Sequence, residues 1–220
     1  MAKPTSGGAG GSGGRGRATG VVPETYREFA TDREMEDYIQ TKWDEQMVNA
    51  TDLSRDALDS YKSRPDINGL LRRQKDNNEF YWYHENSRSP RTTVGEVAAA
   101  MDATMRPSTE NLILWRGIQN IPDISFGLRN GTLLGTIIND KAFISTATKR
   151  STAEDFASGT SGVVIKLLAK KGTNMAAPDQ NFNWAGEQRE FILARNSRIR
   201  ITRVVSSNSG KLELEAEIIQ

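Results

Sequence analysis

The sequence predicts an α+β fold, with helices first and strands afterwards. Three observations lead there. Apolar residues recur at three- and four-residue intervals through much of residues 31–106, the period of helices that bury one face. Beyond residue 110 that pattern gives way to short apolar runs bounded by turn-forming residues, as strands are. The last two runs, Arg198 to Val205 and Lys211 to Ile219, alternate around Ser206-Ser207-Asn208-Ser209-Gly210, in the manner of a hairpin with one wet face.

Met1 to Gly20 holds eight of the chain's 19 glycines and nothing that could anchor it to a core. It is expected to be a disordered tail, with residues 21–220 forming one domain, mainly helical over 21–110 and mainly strands over 111–220. From Thr31 the helices begin. Thr31 and Glu34 have capping-box spacing, and Met35, Tyr38, Ile39, Trp43 and Met47 follow at helical intervals. Leu53, Ala57, Leu58 and Tyr61 mark one side of a second helix, which Pro65 interrupts. Ile67, Leu70 and Leu71 form the apolar side of a third, with Asn68 and Arg72 beside them. Thr93 and Glu96 repeat the capping spacing at the head of a helix through Val94, Val97, Ala98, Met101 and Met105, closed by Arg106-Pro107.

Leu112 to Trp115 reads as a buried strand ending at Arg116-Gly117, and Lys141 to Thr146 as another. Ser151 and Glu154, again at capping-box spacing, open a short helix with Ala153, Phe156 and Ala157 on its apolar face. Gly159 to Gly162 stops it. Val163 to Ala169 and Glu190 to Ala194 are further strands ahead of the terminal hairpin.

Composition removes several kinds of chemistry. The chain has no cysteine and one histidine, His84, so thiolate nucleophiles, disulfides and multi-histidine metal sites are excluded, and no metal is expected. No nucleophile motif accompanies His84. The net charge of +1 conceals an asymmetry: residues 1–20 carry three bases and no acid, leaving 26 bases against 28 acids in the rest. That balance argues against nucleic acid as partner, and three charges in the tail's Gly-Arg-Gly-Arg region would bind phosphate only feebly. No apolar run approaches the roughly 20 residues that span a bilayer, and the N-terminus lacks the apolar core of a secretory signal. A soluble monomer without a membrane partner is expected. Its chemistry must come from carboxylates, amides, hydroxyls and arginine.

Such groups stand at three strand ends: Arg116, Ser145-Thr146, and the pair Gln188 and Glu190 ahead of Phe191 to Leu193. In an extended backbone Gln188 and Glu190 point to one side while Arg189 points away.

Here the sequence resembles the mono-ADP-ribosyltransferases of the Arg-Ser-Glu class, bacterial exoenzyme toxins and phage enzymes that modify host proteins. Leu114-Trp115-Arg116-Gly117 resembles the arginine motif of that family, Phe143-Ile144-Ser145-Thr146-Ala147 its Ser-Thr-Ser motif, and Gln188-Arg189-Glu190 its catalytic turn. Ile67-Asn68-Gly69-Leu70-Leu71-Arg72 is similar to the helix that carries Ile-Asn and Leu-Arg near the cofactor phosphates. Ser151 to Gly159 resembles the small helix whose phenylalanine, here Phe156, lies against nicotinamide. Five motifs in the right order span residues 61–193, and the likeness as a whole runs over residues 25–220.

The resemblance implies a two-sheet transferase core and NAD+ as substrate. It assigns Glu190 to the ribose 2′-hydroxyl, Arg116 to a phosphate, Ser145 to orienting Glu190 and Thr146 to the strand geometry around it. Gly117, Asn68, Arg72 and Phe156 complete the cofactor site. Phe182 and Trp184 are candidates for reading a protein substrate in a host cell. With glutamine at position 188 the chain looks like the Rho-modifying members, which act on an amide, rather than the arginine-modifying ones, which have glutamate there. Ala147 departs from the third serine of the motif, and Gly159 stands where some toxins have a phosphate-binding arginine. Two other readings stay open: an NAD glycohydrolase, and a non-catalytic binding module on the same fold. A bacterial or phage origin with delivery into a host cell is what the resemblance implies.

Overall fold

The first half of the chain is built from amphipathic helices. A computed structural model describes residues 24–48, 51–63, 66–76, 79–84, 87–119, 132–159, 162–178, 190–206 and 212–220. Helices α1 (Asp32–Val48), α2 (Asp52–Ser63) and α3 (Asp66–Arg72) are followed by a hairpin of β1 (Glu79–His84) and β2 (Ser87–Thr93), then α4 (Val94–Asp102). The hairpin occupies the aromatic stretch around residue 81, where periodicity indicates no element. At the head of α4 both halves of the expected capping box form: Thr93 accepts from the Glu96 amide, and Glu96 accepts from the Thr93 amide.

The second half supplies β3 (Arg106–Pro107), β4 (Leu112–Ile118), β5 (Ile137–Asn139), β6 (Ile144–Ala147), α5 (Arg150–Phe156), β7 (Val163–Ala169), β8 (Asn174–Ala176), β9 (Glu190–Leu193), β10 (Arg198–Ser206) and β11 (Leu212–Ile219). The α+β class and the order of elements follow the sequence reading, and β10 and β11 pair antiparallel as the alternation predicts. Strand β6 starts at Ile144 rather than Lys141. The Asp140 carboxylate accepts the Ala142 amide at 3.0 Å, and this local turn bends the chain before the ladder begins. No described helix is long and apolar enough to cross a membrane.

Nine strands form one hydrogen-bonded sheet in the order β3-β8-β9-β6-β4-β7-β11-β10-β5. Its continuity is uneven. Strand β4 pairs with β7 from Leu112↔Ala169 to Ile118↔Val163, and β6 pairs with β9 along its whole length. Between β4 and β6 the register holds one pair, Trp115↔Ala147. The sheet is therefore almost parted into two lobes at that seam, which is how a single ladder provides the two-sheet core expected of the sequence.

Alternation along the strands sorts the cores. Leu112 and Leu114 of β4, with Phe191 and Leu193 of β9, share a cluster with Met35, Tyr38, Ile39 and Trp43 of α1. The intervening residues split into two further clusters. Ile192 joins Phe143 and the buried faces of α2, α3 and α4, while Ile113, Trp115 and Val164 pack on Ala153 of α5 and on Ala157 just past its end. The helices of the latter two clusters leave a gap between them over the seam. Gly117 permits the close approach of β4 to α5, because a Cβ there would lie 1.8 Å from the Ala153 carbonyl oxygen.

Candidate active site

Glu190 is the first residue of β9, and its position is dictated by its neighbours. Phe191 is fully buried, with the rings of Tyr38 and Trp43 edge-on at centroid distances of 6.5 and 5.6 Å. Thr146 donates its hydroxyl to the Phe191 carbonyl at 2.7 Å. With residue 191 clamped on one side of the sheet, alternation turns Glu190 to the other, the side of Ile192. Ala147 stands directly opposite it, and Ser145 opposite Ile192. Glu190 and Ser145 thereby share one face at the seam.

The remaining side chains come from both lobes. Arg116, from β4, reaches across the seam and donates Nη1 to the Ser145 carbonyl at 2.6 Å. Burial holds its guanidinium below the ordinary arginine value, against the pull of nearby Tyr61, Asp140 and Glu190. The Ser145 hydroxyl lies 2.8 Å from the Tyr61 hydroxyl, which also accepts Asn68 Nδ2 at 2.8 Å. Arg72, at the end of α3, makes a two-pronged pair with Asp140, Nε to Oδ1 at 2.9 Å and Nη2 to Oδ2 at 2.8 Å.

These residues line one cleft of about 390 Å³, with Tyr61, Asn68 and Arg72 on one wall, Trp115, Arg116, Gly117, Ala153 and Phe156 on the other, and Ser145, Thr146, Ala147 and Glu190 across the seam. Phe156 is 51% exposed, a large apolar ring open at the cleft. Glu190 is buried. The chemistry available is that of a fixed carboxylate, two arginine forks and hydroxyls beside an apolar ring. Such a set suits a ligand that carries phosphates, sugar hydroxyls and a flat ring.

Eight residues singled out in the sequence thus meet in the cleft: Asn68, Arg72, Arg116, Gly117, Ser145, Thr146, Phe156 and Glu190. Gln188, Phe182 and Trp184 lie outside the described residues. Sequence reasoning misses two polar partners. It places Tyr61 only on an apolar helix face, and because α2 ends at Ser63 and α3 begins at Asp66, no single helical period relates it to Asn68. Asp140 stands among loop residues, and only its place five residues before Ser145 hints at the site.

The ADP-ribosyltransferase exoenzyme family model matches residues 36–220. Among solved structures, the chain is similar to the C3 exoenzyme of Clostridium limosum, with 18% identity, a TM-score of 0.68, and coverage of 90% of this chain and 98% of that one. It is similar to an ADP-ribosyltransferase of Clostridium botulinum, at 20% identity and a TM-score of 0.67 over 90% of this chain and 100% of that one. An ADP-ribosylating toxin from a binary enterotoxin of Clostridium perfringens, whose structure was determined with NADH, is 19% identical with a TM-score of 0.64. That likeness covers 88% of this chain and 50% of the toxin chain. At these identities the structural likeness is one of fold. No curated protein matches the chain.

Proposed function

The chain belongs to the ADP-ribosyltransferase exoenzyme family, and from that premise we propose that this enzyme cleaves the nicotinamide–ribose bond of NAD+ and transfers ADP-ribose to an amide side chain of a host protein. The observation that carries the reading is the meeting of Arg116, Ser145 and Glu190, from β4, β6 and β9, in one cleft with Asn68, Arg72 and Phe156. Among the described residues, the buried Asn68 Oδ1 has no hydrogen-bond partner. An acceptor left so is costly unless a ligand supplies a donor, and NAD+ offers hydroxyl and carboxamide hydrogens.

As the glycosidic bond breaks, its electron pair leaves with the nicotinamide nitrogen and positive charge develops on the ribose. A carboxylate at Glu190 that accepts from the 2′-hydroxyl stabilises that state more than the ground state. Arg116 and Arg72 take the phosphates through their planar forks, Phe156 covers nicotinamide, and Ser145 and Thr146 hold the geometry around Glu190. The acceptor nitrogen then bonds to the sugar carbon and loses its proton. Gln188 favours an amide acceptor because two amides pair reciprocally, whereas a neutral side chain does little to orient a guanidinium. Phe182 and Trp184 would meet the protein substrate as aromatic anchors.

Nicotinamide release from NAD+ tests the first step. Glu190→Ala is expected to lower its rate at least about 100-fold with the fold retained, and a variant that keeps wild-type turnover would refute the role. Incubation of host lysate with labelled NAD+ tests the transfer: a discrete labelled protein is expected, and nicotinamide release without label would identify a glycohydrolase instead. Mass spectrometry should locate the label on an amide. Gln188→Glu should shift labelling toward arginine, and unchanged acceptor choice would remove Gln188 from that role.

A further inference from the structure

Asp140 lies just outside the cleft wall, five residues before Ser145, and it is held from two directions. Its Oδ1 accepts the Ala142 amide at 3.0 Å, fixing the carboxylate to the backbone that leads into β6. Both of its oxygens face the Arg72 fork, at 2.9 and 2.8 Å. The Asp140 side chain is 13% exposed and that of Arg72 44%. A carboxylate anchored to backbone therefore backs a long, partly exposed cation that forms part of the cleft lining.

An arginine at a helix end has many rotamers of similar energy, and an anion must select among them before it can be gripped. Pairing with Asp140 removes that freedom and uses two of the five guanidinium donors, leaving three for a ligand. The pairing also ties α3 to the segment before β6, so the two sides of the cleft keep a set spacing. Resting on the reading of the cleft as an NAD+ site, we propose that Asp140 is a positioning residue. It holds Arg72 in the orientation in which its free donors meet a cofactor phosphate.

The test measures nicotinamide release against NAD+ concentration for wild type, Asp140→Asn, Asp140→Glu, Arg72→Met and the combined variants. Asparagine retains an oxygen for the Ala142 amide but not the charge that orients the fork. Asp140→Asn is expected to raise KM for NAD+ about tenfold with kcat within about twofold of wild type. Asp140→Glu should recover most of the loss. In the Arg72→Met background neither substitution should shift KM further, because the side chain through which Asp140 acts is gone. Thermal unfolding at the wild-type midpoint confirms that the fold is kept, and if Asp140→Asn fails to fold, Asp140→Glu with and without Arg72 carries the same comparison. An unchanged KM would overturn the proposal, as would an undiminished effect in the Arg72→Met background. A lowered KM would also overturn it and show Asp140 competing with the cofactor for Arg72. Absence of nicotinamide release from the wild-type chain would overturn the parent reading, and this inference with it.

Discussion

Tyr61 shows how a single hydroxyl orders a site. Its ring is buried edge-on against Phe143 at 5.9 Å, which brings the phenol oxygen to the seam. Burial first, and the charge of Glu190 second, raise its pKa above the ordinary tyrosine value, so it stays protonated at working pH. Asn68 Nδ2 donates to the Tyr61 oxygen, and the Tyr61 and Ser145 hydroxyls share a hydrogen bond in which either can donate. Tyr61→Phe keeps the ring but strips both partners of their bond. Urea unfolding should register a loss of about 1–3 kcal/mol, and kcat for nicotinamide release should fall about tenfold with no change in the alkaline limb of the pH profile. A variant with wild-type kcat would show the chain of hydroxyls to be structural only. Helical periodicity correctly buries Tyr61, but its hydroxyl partner is 84 residues away, beyond any local pattern.

Capping shows the same division at the level of elements. At three expected helix starts a Ser or Thr is followed three residues later by Glu, with three outcomes. At α4 the box closes completely. At α1 the Glu34 amide bonds to the Thr31 hydroxyl at 3.2 Å, while the Glu34 carboxylate turns to the Ala30 amide and Arg27. At α5 the helix begins two residues early, at Arg150 with Lys149 in the cap position and no side-chain cap, and Glu154 pairs with Arg150 instead. Spacing announces the potential for a cap. Which residue is last before the helix depends on how the chain arrives from the preceding strand. The Glu96 carboxyl is held below its ordinary value by the Thr93 amide first, then the Thr92 and Thr93 hydroxyls. A depressed folded pKa contributes stability that is present above the ordinary glutamate pKa and is lost as pH falls through the depressed value. Glu96→Gln preserves the reach without the charge. Its thermal midpoint should therefore decline less than that of wild type between neutral and acid pH; parallel declines would show that the box contributes nothing to acid sensitivity.

The molecule as a whole is a sheet nearly cut in two, and the cleft lies over the cut. Seven register pairs join β4 to β7 and one joins β4 to β6, so most of the cohesion between lobes must come from side chains: the α1 cluster beneath and polar contacts such as Arg116 to the Ser145 carbonyl above. Backbone amides at the seam should exchange with solvent faster than those of the β4–β7–β11 ladders, since few bonds must open to expose them. NAD+ should slow exchange in β4 and β6 together, because a ligand in the cleft touches both sides. Hydrogen-exchange mass spectrometry reads both effects, and protection confined to one lobe would contradict a cofactor that bridges the seam.

The sequence by itself determined what depends on neighbours along the chain. Periods of 3.6 and 2 ordered helices before strands and marked Arg116, Ser145 and Glu190 as polar groups beside buried runs, although β4 continues past Arg116 to Ile118 and Ser145 lies inside β6. Tertiary structure alone decided the pairings. Arg72 meets Asp140 across 68 residues, Arg116 meets the Ser145 carbonyl across 29, and Tyr61 meets Ser145 across 84. Each depends on strand order and register in the sheet, and on the gap that opens where β4 and β6 share a single pair. That gap lies between helices that pack on different parts of the sheet, α5 on β4 and β7, and α2 to α4 on β9 and the segment before β6. No local pattern encodes such a choice, since it is made by which apolar surfaces fit together once the strands have formed.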